Sequence, residues 1–518
     1  MSLFKSTAVV SLFTFISRIS GFIRDIFMAK FFGTSGWADS FLVVFKIPNF
    51  MRRLFAEGSF SLAFVPVLND IKANQTKKEL KDFVDKIAGS LLAVILIVWM
   101  LMEIFAPQVL SLFAYSWINE KPEQFSASVD MLRVTLFYFP LISMVALAGG
   151  ILNSHSKFAL PAATPILLNV SLIASMFFLR DRFDIPVMSL AVGVLIAGIL
   201  QLVVQIPALM KIGLLPNFKI NYKDKQVKKV MNLMLPTLFG SSIAQINLLI
   251  DTMIATQLMT GSVAFLYYSE RLVEFPLGVF AIAISTVILP TLSSQFALNN
   301  KAEFVKTMRW ALNLGFFIAI PAAIALAVMA KVVVVTLFQY GEFNATSSQM
   351  TAVSLVAYML ALPAYIINKI LLPAYYSRKD TSSPVKIGII AMLANIVLNF
   401  LFVGILIYFD FIALHVGLAL ASAVSGWMQT FMLYHGLKKK GIIPSGVIQR
   451  LVVTKILLAS LVMAASIILV LNNLGDWSIQ IGLMRFMYLL SCITLGAGVY
   501  FVCLHLMKIK LKNLWVLS

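Results

Sequence analysis

An all-α integral membrane protein is the fold class this sequence predicts, and three observations predict it. Of 518 residues 60% are hydrophobic and 12% charged, with a mean hydropathy of +0.93, too little polar surface to cover a soluble globule. The apolar runs reach about 20 residues, the length of a membrane-crossing helix, as at 87–105 (broken only by Glu103) and 451–471. No dyad alternation marks them as barrel strands. Finally, Lys and Arg cluster in alternate loops, the asymmetry that cytoplasmic loops of multi-pass proteins carry.

Hydropathy and these basic loops set the elements in order. The first helix, 6–31, contains Arg18 and lacks a small-residue cleavage pattern, so it reads as a retained span rather than a signal peptide. Spans 36–68 and 83–113 flank a loop rich in lysine (Lys72, Lys77, Lys78, Lys81, with Lys86 close behind). Lys121 precedes 127–152, Lys157 separates it from 159–179, and Arg180 and Arg182 precede 184–211. Lys219, Lys223, Lys225, Lys228 and Lys229 mark the link to 231–258, which is followed by 264–296. Lys301, Lys306 and Arg309 open 306–329; a short interfacial piece, 332–340, carries Lys331 before it. Then come 349–376, Arg378, Lys379 and Lys386 around the start of 383–409, and 411–437 ending at Lys438, Lys439 and Lys440. The last spans are 447–472 and 482–507, with Arg485 on the sparse side and Lys508, Lys510 and Lys512 in the tail. The total is fourteen crossings, both termini cytoplasmic. Most of the formal charge of +19 is thus a topology signal, and nucleic-acid binding is not its purpose.

The chain also repeats itself. Pro66 recurs as Pro290, Ser111-Leu112-Phe113 as Thr336-Leu337-Phe338, Pro140 as Pro363, Ser154 as Ser377 and Pro161 as Pro384, all at offsets between 223 and 225. Six spans per copy give both copies one orientation, so a pseudo-two-fold axis along the membrane normal relates them. The expected organisation is a six-helix lobe over 1–222, a second over 223–442, and two additional helices over 443–518. Pro48, Pro140, Pro276 and Pro363 fall inside spans, where each removes a backbone hydrogen bond and permits a kink.

Charges within the spans point to function. Arg18, Arg24, Lys46, Arg52, Arg53, Arg271 and Lys369 lie in stretches apolar enough to cross a bilayer, offset by Asp25, Asp39, Glu57, Glu270 and Glu274. A cation at the bilayer centre costs about 2.5 to 3.5 kcal/mol, so seven facing lipid would cost roughly 20 kcal/mol. They are expected to line a wet cavity between the lobes that receives an anion by alternating access. Some of the arginines have a second reading as interlobe latches to Asp25, Asp39, Glu270 or Glu274. Arg53, four residues before Glu57, is read as such a latch.

At these residues a resemblance enters. SRISGFIRD (17–25), FKIPNFMRRLFAEGSFSLAFVPVL (45–68), GGILNSHSKFALPAATPILLN (149–169), YYSERLVEFPLGVF (267–280) and KILLPAYYSRKDTSSPVKI (369–387) closely resemble the bacterial MurJ (MviN) family, over essentially the whole chain. The resemblance implies a lipid II flippase of the multidrug/oligosaccharidyl-lipid/polysaccharide exporter superfamily in the bacterial cytoplasmic (inner) membrane, carrying the undecaprenyl-diphosphate-linked peptidoglycan precursor outward. It implies that Arg18, Arg24, Arg52, Arg271 and Lys369 are cavity cations, that Asp25, Asp39 and Glu274 match acidic positions, and that Glu270 stands where an Asp also occurs. It further implies that the last two helices form a groove for the polyprenyl tail.

The chemistry of that cargo agrees, because the planar guanidinium fork makes two charge-assisted bonds to phosphate oxygens while staying protonated. Arg18, Arg24 and Arg271 are expected to hold the diphosphate, with Arg52 and Lys369 assisting. No GxxxxGK[ST] loop is present to bring ATP. An inside-negative potential of about 100 mV supplies about 2.3 kcal/mol per elementary charge moved, and favours both outward movement of a diphosphate and return of an empty cationic cavity. A sodium ion is the other source of energy: Asp251, Asn395 and Asn399 offer three oxygen donors, although intramembrane Asn also serves helix packing. No other cofactor is expected, and no enzyme activity, since a DDxxD-type acidic cluster is missing. Cys492 and Cys503 suggest no disulfide framework, and His155, His415, His435 and His505 no metal site. Expected partners are lipid II, membrane lipids and the cell-wall synthesis machinery, with the chain monomeric. The rival readings are a polysaccharide-lipid flippase, which would also want a basic cavity, and a drug/cation antiporter, which would want an acidic one.

Overall fold

The computed structural model describes residues 3–53, 60–475, 477–480 and 482–509. Among them the chain is helical throughout, with no strand, as expected where backbone groups must be satisfied within each segment. Glu57 lies outside the described residues. Two compact units divide the chain, Met1–Val263 and Ala264–Ser518.

The first unit holds α1 (Leu3–Phe32), α2 (Gly36–Met51), α3 (Ser61–Asn74), α4 (Lys77–Ile104), α5 (Ala106–Phe113), α6 (Trp117–Glu120), α7 (Pro122–Leu136), α8 (Tyr138–Ser154), α9 (Ala159–Phe178), α10 (Met188–Lys211) and α11 (Lys225–Ala255). Phe64, Leu68, Phe83, Ile87, Phe139, Ile151 and Val230 interlock in a hydrophobic core cluster, where α3, α4 and α8 meet the start of α11. The sequence repeat assigns α11 to the second copy; in the structure it packs on α3 and α4. Its N-cap is Asp224, which accepts the Gln226 and Val227 amides and pairs with Lys86 on α4 at 2.9 Å.

The second unit holds α12 (Ser262–Pro276), a π-helical turn at Leu277–Ala281, α13 (Ile282–Ala297), α14 (Lys301–Val328), α15 (Ala330–Phe338), α16 (Ala345–Tyr376), α17 (Ser382–Tyr408), α18 (Val416–Lys439), α19 (Arg450–Asn473) and α20 (Gly482–Leu506). Helix α16 is central, packed by α13, α14 and α18. Outward faces are apolar, as on α17 with Leu393, Val397 and Phe400 exposed.

The repeat is visible in the helices. α4 and α14 are both 28 residues long and displaced by 224 positions at each end, from 77 to 301 and from 104 to 328. Each begins with a capping side chain, Thr76 or Asn300, that accepts from the third helical amide, at Glu79 or Glu303. Each is followed by a short apolar helix, α5 or α15, the second being the expected piece at 332–340. Eleven helical stretches among the described residues are long and apolar enough to cross a membrane. The other three expected crossings correspond to α1, to α2 with α3, and to α11, helices of 30, 16 and 14, and 31 residues.

Prolines inside helices leave a carbonyl four residues back without its amide. Pro321 does this to Phe317, and the buried Tyr500 hydroxyl of α20 donates to that carbonyl at 2.9 Å. Pro165 does it to Pro161, whose carbonyl takes the Thr164 hydroxyl at 2.7 Å. A carbonyl left bare in hydrocarbon would cost several kcal/mol. The two C-terminal helices are therefore bonded into α14, where Gln449 also accepts from Asn313 at 3.0 Å. Arg485, expected on the side poor in Lys and Arg, is held within the fold. It lies in the first turn of α20, 8% exposed, donates to the Val335 and Gln339 carbonyls at the end of α15, and covers the Tyr340 ring at 5.5 Å. Orphan carbonyls at a helix C-terminus are a favourable place for a guanidinium.

Candidate functional site

Intramembrane charge is held differently in the two units. In the first, α1 brings Arg24 and Asp25 into the interior, 7% and 1% exposed. Arg24 Nε and Nη2 donate to Asp25 Oδ1 at 3.0 and 2.6 Å, and Nη1 donates to Asn169 Oδ1 on α9 at 3.1 Å. Asn169 returns its amide to the Ser17 carbonyl and Ser20 hydroxyl. The guanidinium is consequently fixed from two helices. Arg18, two turns earlier, is exposed and makes no hydrogen bond or ion pair among the described residues.

Helix α2 carries Asp39 and Lys46, with Arg52 and Arg53 just past its end. Asp39, 4% exposed, accepts the Gly261 amide at 2.6 Å, and Lys46 donates to the Thr252 hydroxyl of α11 at 2.7 Å. Beyond Pro48 the chain leaves α2, and Arg52 folds back on Asn49 with two bonds of 2.9 and 2.8 Å. Arg53 Nη1 donates to Gln245 Oε1 of α11 at 3.0 Å. Asp251, half-buried on α11, accepts from Asn247 at 3.5 Å.

In the second unit, Glu270 accepts the Tyr358 hydroxyl of α16 at 2.8 Å. Arg271 pairs with Glu274 at 2.8 Å, donates to the Tyr267 hydroxyl at 3.1 Å and covers the Tyr267 ring at 5.0 Å. All of these Arg271 partners lie on α12 itself. Lys369, on α16 between Pro363 and Pro373, is exposed and makes no hydrogen bond or ion pair among the described residues. Asn395 and Asn399 are buried on α17. Asn395 donates to the Ser425 hydroxyl of α18 at 3.2 Å and accepts from Asn399 at 3.1 Å. Among the described residues no group of three or more His, Cys, Asp or Glu could hold a metal ion.

Sequence reasoning found the charges and missed the neutral groups that hold them, namely Asn169, Thr252, Gln245, Tyr267 and Tyr358. Two of these lie inside segments already singled out, Asn169 closing 149–169 and Tyr267 opening 267–280.

The model of the family described as lipid II flippase MurJ matches residues 28–488. The chain belongs to the MurJ family. A probable MurJ lipid II flippase from Haemophilus influenzae is 39% identical over 513 residues, covering 97% of this chain and 99% of the relative. A MurJ lipid II flippase from Burkholderia cenocepacia is 35% identical, covering 98% of each. A solved MurJ structure, described as a lipid II flippase in an inward closed conformation, superposes with a TM-score of 0.80 at 27% identity over 96% of this chain and 98% of that one. An inward-facing multidrug transporter of the MATE family, at 15% identity and a TM-score of 0.62, covers 83% of this chain and 99% of its own and shares the fold. With its membrane-length helices, this MurJ family member is a multi-pass membrane protein.

Proposed function

We propose that this chain is a lipid II flippase, moving the undecaprenyl-diphosphate-linked peptidoglycan precursor from the inner to the outer leaflet of the bacterial inner membrane by alternating access. The observation that carries the reading is similarity to curated MurJ flippases along almost the entire length of both chains. The side-chain chemistry supports it: each unit keeps a guanidinium at membrane depth with its fork oriented by neighbours, Arg24 by Asp25 and Asn169, Arg271 by Glu274 and Tyr267.

In this proposal the exposed Arg18 and Lys369 meet the diphosphate first. Arg24 and Arg271 then exchange part of their carboxylate pairing for phosphate oxygens, a replacement of one charge-assisted bond by another. Arg52 assists from the end of α2. Asp25, Asp39, Glu270 and Glu274 restore the empty state by taking the cations back, and Lys46 and Arg53 tie α2 to α11. Both termini face the cytoplasm, the two C-terminal helices guide the polyprenyl tail, and a single chain suffices. Membrane potential drives the cycle; Asp251, Asn395 and Asn399 are the proposed sodium ligands, and undiminished transport in sodium-free medium would refute that part.

The test is leaflet-resolved accessibility of lipid II in cells whose only flippase is this chain. Arg18→Ala, Arg24→Ala and Arg271→Ala should each leave lipid II on the inner side while the protein stays inserted. Normal outward delivery by all three variants would sink the diphosphate assignment.

A further inference from the structure

The repeat places opposite charges at the same positions of α4 and α14. In α4, Asp82 and Asp85 face the segment that joins α10 to α11, and that segment lies on them. The Asn217 amide donates to Asp85 Oδ1 at 2.8 Å, the Lys219 amide donates to the Asp85 carbonyl at 3.1 Å, and the Asn221 amide donates to the Ser90 hydroxyl at 3.1 Å. The Lys219 ammonium stands 3.3 Å from Asp82 and 3.5 Å from Asp85, and Lys81 also pairs with Asp85. The main chain at Lys219 comes so close that any Cβ at Gly89 would collide with it. The groove on α4 is filled and its charge is balanced within the chain.

At the offset of 224, Asp82 becomes Lys306 and Asp85 becomes Arg309, with Lys301 in place of Lys77. The segment after α18 runs past this part of α14 but leaves a concavity of about 830 Å³. Lys301, Lys306, Arg309 and Lys438 rim it, Val305 and Ile443 line its apolar part, and none of the residues lining it is acidic. Lys306 approaches Glu303 at 3.9 Å with both side chains nearly half exposed, a pairing of little strength in water. Arg309 makes no hydrogen bond or ion pair among the described residues. The acids that neutralise α4 are replaced by cations, and no acid lines the concavity to balance them.

We infer that this concavity binds a phosphate group, supplied by the headgroup of an anionic phospholipid. Four cations about one hollow suit a phosphodiester. The source follows from depth: from Trp310 to Val328 α14 carries no charged residue, so Lys306 and Arg309 stand at the level where the apolar span begins and lipid headgroups lie. The apolar part of the lining then meets the glycerol end of the acyl chains.

The test uses the full chain in phosphatidylethanolamine nanodiscs, with retained phosphatidylglycerol counted by native mass spectrometry. The wild type should retain phosphatidylglycerol in preference to phosphatidylethanolamine. K306Q/R309Q should weaken that preference by roughly fivefold per cation removed, whereas K223Q/K225Q, which removes equal charge from exposed positions of the first unit, should keep it. Excess inorganic phosphate that displaces the lipid equally well would confirm a phosphate site and overturn the lipid source. Equal loss in both double variants, or none in K306Q/R309Q with an unchanged melting temperature, would overturn the site. R309Q alone guards against misfolding of the double variant, with about fivefold loss expected.

Discussion

Arg24 and Arg271 are both guanidinium groups within apolar stretches, yet they differ in exposure and in how far along the chain the partners described above lie. Arg24 is gripped by a carboxylate that is 1% exposed and by an asparagine 145 positions away. Arg271, whose side chain is 33% exposed, is held by residues three and four positions away on α12. A buried pair is strongly destabilised when one partner is removed, because the other charge is left uncompensated. An exposed pair contributes little. Fold and transport should therefore be coupled at Arg24 and separable at Arg271.

The largest effect should come from Arg24→Ala, which strands the Asp25 carboxylate and should cost about 3 to 5 kcal/mol; thermal unfolding in detergent measures it. The double variant R24A/D25N should recover most of that stability without recovering lipid II delivery. Asn169→Ala comes next: it removes the acceptor of the buried Arg24 Nη1 bond and should cost about 1 to 3 kcal/mol, read from the same melt. Arg271→Ala should shift stability by no more than about 1 kcal/mol while outer-leaflet lipid II falls as far as with Arg24→Ala. Equal destabilisation by Arg24→Ala and Arg271→Ala would break the comparison.

The smallest effect lies outside the spans, where Lys440 bonds Asp380 at 2.5 Å and Ser383 at 2.8 Å. The Lys440 hydrogen bond, opposed by slight burial, lowers the Asp380 carboxyl from 3.8 to about 2. Its stabilisation is present above the ordinary carboxyl value and is lost as pH falls from there through about 2. With Lys440 46% exposed, solvent screening limits the pair to under about 1 kcal/mol. Lys440→Ala should lower the melting point slightly at pH 7 and by clearly less at pH 2, which a paired pH series of melts would check.

Much of the fold is legible in the sequence because hydropathy and lysine placement act over whole helices. The short piece after Lys331 reappears as α15, and the spans at 83–113 and 306–329 reappear as α4 with α5 and as α14. Local breaks are harder to read. The span at 127–152 divides into α7 and α8 at Phe137, where Pro140, expected only to kink the span, leaves the Leu136 carbonyl without its amide. Pro276 does mark the break inside 264–296, but not that a π-helical turn follows it. At the candidate site the charges were legible because hydrocarbon makes them conspicuous. The carboxylates were named as possible latches between lobes, but adjacent residues on a helix do not ordinarily face each other, so the pairing of Arg24 with Asp25 on its own helix was not legible, and a lone Asn169 on another helix carries no periodic signal.

The phenol of Tyr500 has a consequence for anyone hoping to trim this protein. Because it caps a carbonyl that proline exposes in a neighbouring helix, the terminal pair of helices is no detachable appendage. A shortened version ending before α19 would have to supply α14 with a substitute donor, and its simplest repair is to replace Pro321 by a residue that brings back the missing amide.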